Sequence, residues 1–206
     1  MNPRTPIAFL VLAALAPAAP APAPGSLGEG LSYCRVHELP RDMPAPARPG
    51  PCVLDLRFAA ADAAGAAALN AWVARNASPH SPVFILENAK TSAPLVAAFP
   101  GRGPAGQVVL APASARLSPD IAVDVAPEAD EGAYQALEKG AALESLLADF
   151  PDKPRVDEAY LEKEHLSDAD APEVASDKDL PPRPRVDLLL QRAVQIHRGL
   201  LALKRL

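Results

Sequence analysis

The chain has 206 residues, among them 25 Pro and 43 Ala, and carries a formal net charge of −5. Its 49% hydrophobic content is inflated by Ala; the stronger apolar types amount to about 28%, enough for one compact core and hardly for two. Five Phe, three Tyr and one Trp on an acidic chain argue against a nucleic-acid binder, which needs a basic field and stacking faces.

Residues 1–24 place Arg4 ahead of an apolar run from Ile7 to Leu15, followed by small residues that include Ala16-Pro17-Ala18. This is the pattern of an export signal, far shorter than the roughly 20 apolar residues that span a bilayer. Export would place Cys34 and Cys52, the two cysteines of the chain, where disulfides persist. The spacing leaves two readings open: a bridge between Cys34 and Cys52, or two buried thiols in separate strands. Between them, Pro40 to Pro51 holds five prolines in twelve residues, which excludes helix and central strand.

The elements then follow in regular order. Cys52 to Phe58 reads as a buried strand, and the Ala-rich stretch from Asp62 to Asn76 reads as a helix capped by Asp62 with Leu69, Trp72 and Val73 on its inner face. Pro82 to Asn88 is a second buried strand, and Thr91 or Ser92 can cap a short helix that Pro100-Gly101 ends. Strands follow at Gly106 to Ala111 and Asp120 to Val125. Continuous apolar strands joined by helices predict an α/β domain with a largely parallel or mixed sheet covered on its faces.

From Asp120 to Asp179 there are 18 Asp or Glu against 5 Lys or Arg. Within this stretch Tyr134, Leu137, Ala141, Leu143, Leu146 and Leu147 recur at near-helical spacing between Glu131 and Phe150, and residues 151–185 read as an acidic, partly flexible linker. Residues 186–206 predict an amphipathic helix with Leu189, Ala193, Ile196, Leu200 and Leu203 on one stripe and a basic end. It either docks on the parent domain or makes peripheral contact with an anionic membrane or a partner.

Several of these segments together resemble the C-terminal-processing (tail-specific) serine peptidases. They are Val53-Leu54-Asp55-Leu56-Arg57, Val83 to Asn88 running into Thr91-Ser92-Ala93, Ser118-Pro119-Asp120-Ile121-Ala122-Val123, and Val156-Asp157-Glu158-Ala159-Tyr160-Leu161. The resemblance implies a ClpP/crotonase-like core over residues 31–150, and it makes Ser92 the candidate nucleophile. Ser92 equally suits a helix N-cap, a role that needs the same position.

A serine hydroxyl needs a neighbouring base. The family supplies a lysine after the following strand, but Ser92 to Asp120 contains only Arg102 and Arg116, and Arg stays protonated. Lys90 is the remaining candidate base, two residues before Ser92, where side chains do not face each other on a helix. The family's glutamate after the serine is replaced by Leu95, and its glycines after Asp-Leu-Arg by Phe58-Ala59-Ala60-Ala61. His37, His80, His165 and His197 are scattered, and no spacing points to a metal or nucleotide, so no cofactor is expected. The expectation is an exported, non-catalytic relative acting as a binding or structural module for a protein or peptide, without nucleic acid. The alternative is an active serine hydrolase using Ser92 with a non-standard base.

Overall fold

A computed structural model describes residues 25–46, 50–113, 117–147 and 185–206. The signal reading of residues 1–24, nearly all of the linker, His165, Arg116 and the Val156 to Leu161 segment lie outside the described residues. Six strands form one sheet in sequential order: β1 (Gly25–Ser26), β2 (Ser32–Arg35), β3 (Cys52–Asp55), β4 (Val83–Leu86), β5 (Gln107–Pro112) and β6 (Ile121–Val123). β1 runs antiparallel to β2 and all other pairs are parallel, so the expected α/β class with a mixed sheet is what the chain adopts.

The strands read as unbroken apolar runs because both faces are covered. Alternation sends Cys34, Cys52, Leu54, Leu56, Val83, Ile85 and Val109 to one core, and Tyr33, Val53, Phe84, Leu86 and Leu110 to the other. The first core is roofed by helices α1 (Ala63–Asn76) and α2 (Ala93–Ala98). The second is roofed by α3 (Pro127–Glu138), a 3-10 turn at Leu143–Leu146 and α4 (Leu188–Ala202).

Local chemistry accounts for the helix ends. Asp62 caps α1 by accepting the Gly65 N–H at 2.6 Å, and Leu69, Trp72 and Val73 are buried as their spacing requires. The Trp72 indole donates to the Ala45 carbonyl and so pins the Pro-rich connector over the same core. The Glu131 to Phe150 pattern does not make one helix. Gly140, at φ 88°, closes α3 with bonds from Gly140 N to Leu137 O and from Ala141 N to Ala136 O, and the chain turns before the 3-10 segment. This is the left-handed glycine stop of a Schellman motif, which side-chain periodicity cannot reveal.

α4 packs on β4, β5 and β6. Its Leu189 and Ala193 are buried and Ile196 and Leu200 partly so, whereas Leu203, the C-cap just past the helix, is 70% exposed. Most of the stripe predicted from sequence is thus occupied by the sheet. No helix among the described residues is long and apolar enough to cross a membrane.

The bridge between Cys34 and Cys52 is not formed. The register sets Cys34 beside Leu54 and Cys52 beside Ser32, so the cysteines are diagonal neighbours on adjacent strands, both facing the α1 side. Such diagonal partners lie roughly 7–8 Å apart, beyond the usual reach of a disulfide. The buried-thiol reading is the one the fold realises.

Candidate functional site

The loops leaving β3 and β4 meet at the carboxyl ends of the parallel strands, where ligands of open α/β sheets usually bind. β3 is followed by Leu56, the buried Arg57, and Phe58 at φ 62°. A bulky side chain in the left-handed region is strained by roughly 1–2 kcal/mol. Three hydrogen bonds stitch the two loops, and a fourth, from Asn88 N to Thr91, braces the second loop internally. The Thr91 hydroxyl donates to Leu56 O (3.0 Å) and accepts from Asn88 N (3.0 Å); Ser92 N donates to Ala59 O (3.0 Å); and the Ser92 hydroxyl oxygen accepts from Ala61 N (3.1 Å).

Ser92 stands at the N-cap position of α2, as its sequence allows, yet its side chain does not cap that helix. The hydroxyl is spent on the β3–α1 loop, at the segment where the resembling peptidases carry glycines. Lys90 is exposed and lines a crevice on the α3 side, and no hydrogen bond joins it to Ser92 among the described residues. The two candidate catalytic residues are therefore close in sequence but turned to different surroundings.

The crevice, about 110 Å³, has Phe58, Ala89, Pro112 and Pro127 as apolar walls, with Lys90 and Glu131 beside them. Asn88 and Asp130 form its polar side, with Asn88 Nδ2 donating to Asp130 Oδ2 at 2.9 Å. The Phe58 ring packs against Tyr134 with centroids 4.6 Å apart, which helps hold the strained backbone.

Below lies a buried ionic cluster. Arg57, fully buried, uses all five N–H groups: Nε and Nη2 to Asp55, Nη1 to Asp130 and Asp187, and Nη2 also to Asp187, at 2.7–3.1 Å. Tyr33 donates to Asp55 Oδ2 at 2.7 Å. Burial by itself would favour neutral Arg57, but the charges of Asp55 and Asp187 outweigh it and hold the guanidinium more firmly protonated than usual. Burial, followed by the Asp55 charge, pushes the Tyr33 phenol far above its ordinary range. The cluster binds β3, α3 and the N-cap of α4 to one another.

On the opposite face, Glu87 is 2% exposed, its Oε1 lacks a hydrogen-bond partner among the described residues, and burial pushes its carboxyl up to about 8. Sequence reasoning missed both Glu87 and the Arg57 cluster. A signal existed: charges inside the apolar run Val53 to Arg57 must find partners when both faces are buried. Which partners they find, 73 and 130 residues away, is invisible in the linear chain.

The histidines among the described residues stay apart. His37 Nε2 meets Glu138 Oε1 at 2.8 Å, and His197 Nε2 lies 3.0 Å from the Glu29 carbonyl. No group of three or more His, Cys, Asp or Glu side chains among the described residues is placed to hold a metal ion. No protein-family model, no curated protein and no solved structure matches the chain.

Proposed function

We propose that the chain is an exported, non-catalytic relative of the tail-specific serine peptidases, with a ClpP/crotonase-like core, that acts as a binding or structural module in the bacterial periplasm or cell envelope. The observation that carries this reading is the bond from Ala61 N to Ser92 Oγ, together with the absence of a described base at that oxygen. A hydroxyl that accepts a backbone N–H and has no proton acceptor beside it gains no nucleophilicity at neutral pH. The same bond occupies a loop N–H that an oxyanion would otherwise need.

The family resemblance is supported by the order of parallel strands and by the helix that starts beside Ser92 at the end of β4. The binding role is supported by the crevice at the strand ends, whose apolar walls and lone lysine suit a side chain of a protein or peptide partner. Export rests on the pattern of residues 1–24.

The purified chain tests this directly when incubated with fluorescently labelled unstructured peptides, beside a Ser92→Ala variant. The reading predicts no cleavage by either protein. Cleavage by the parent chain that Ser92→Ala abolishes would establish the serine-hydrolase alternative.

A further inference from the structure

Tyr33, Arg35 and His37 alternate with Cys34 and Val36, so the three polar side chains share the face opposite the first core. β1 pairs with β2 only at Ser32 and Tyr33, so Arg35 and His37 lie past the paired part of that edge. Here they border a cavity of about 240 Å³ whose apolar wall is Leu137, Ala141 and Leu143.

Arg35 is the unusual group. Its side chain is only 24% exposed, yet its one ion pair among the described residues joins Nη1 to Glu138 Oε1 at 3.3 Å. The guanidinium is planted 5.9 Å from the Tyr134 ring, and Glu138 is itself anchored by His37 and hydrogen-bonded to Tyr134. Most of a five-donor fork is thus held in place, about three-quarters covered, beside the apolar wall of this cavity. No Arg35 nitrogen is buried without a partner, so the donors that Glu138 leaves open face solvent and can meet an acceptor supplied from outside.

We propose that this cavity binds a monocarboxylate on an apolar stem, the carboxylate on the Arg35 fork and the stem against Leu137, Ala141 and Leu143. A single guanidinium matches a carboxylate in bidentate fashion. Glu138 and Asp42 nearby disfavour a dianion such as phosphate. A 150 Å³ cavity holds benzene, so this one takes roughly ten heavy atoms, the size of octanoate or of a C-terminal leucine. The site is separate from Ser92 and does not depend on the absence of catalysis.

Calorimetric titration of the full chain with octanoate, octylamine, N-acetyl-leucine and N-acetyl-leucinamide tests the assignment. The carboxylates should bind saturably, and the amine and amide at least tenfold more weakly. Tighter octanoate would identify a free aliphatic acid as the source, and tighter N-acetyl-leucine a peptide terminus. Arg35→Gln should weaken carboxylate binding at least tenfold, and Ala141→Phe, which fills the cleft, should abolish it, both with unchanged circular dichroism. No saturable binding by either carboxylate, or equal affinity in Arg35→Gln or Ala141→Phe, would overturn the proposal.

Discussion

Asp187 caps α4 through Leu190 N and at the same time receives both terminal nitrogens of Arg57, 130 residues earlier in the chain. One carboxylate thus starts the last helix and fixes it over the sheet.

Removing Arg57 should therefore be far more damaging than removing any one of its partners' charges. Arg57→Leu leaves Asp55, Asp130 and Asp187 buried without their cation, and the expected loss is about 3–5 kcal/mol in urea unfolding. Asp187→Asn keeps an N-cap side chain and should cost less, about 1–3 kcal/mol. Equal, small effects of both changes would mean that the cluster contributes little to holding α4.

Glu87 sets a pH dependence of definite sign. Its carboxyl is raised from 4.5 to about 8 by burial, so the unfolded chain releases this proton first as pH rises. The Glu87 contribution to stability is greatest below pH 4.5, declines between 4.5 and about 8, and levels off above, with a total loss on the order of 5 kcal/mol. Glu87→Gln should remove this decline and be the more stable protein at pH 8. Asp42 and Glu138, whose carboxyls are lowered, act in the opposite direction at acid pH, so the difference between parent and variant curves isolates Glu87.

The readable parts of the chain were those decided by neighbours in sequence. The Asp62 cap, the inner face of α1 at Leu69, Trp72 and Val73, and the apolar runs of β3, β4 and β5 all depend on residues within one or two turns. The Gly140 stop was not legible because periodicity continues across it, and β1 is only two residues long. At the candidate site, Ser92 was correctly placed at the strand-to-helix junction, but its actual partner, Ala61 N, lies 31 residues away on another loop. The same holds for the Asp130 and Asp187 partners of Arg57, which only tertiary packing brings together.

The cysteines offer a further check. Because their strands are two residues out of register for a bridge, the unreduced chain, denatured and alkylated, should carry two adducts by mass spectrometry. A mass two hydrogens below that of the reduced chain, with no adduct, would show that Cys34 and Cys52 are joined.

The most direct test of the central claim is reaction of the purified chain with a fluorophosphonate, which reports an activated serine whatever the natural substrate. Held by Ala61 N and without a base among the described residues, Ser92 should stay unlabelled after prolonged incubation. Stoichiometric labelling of Ser92 that disappears in Lys90→Ala would contradict the account and make the protein a serine hydrolase.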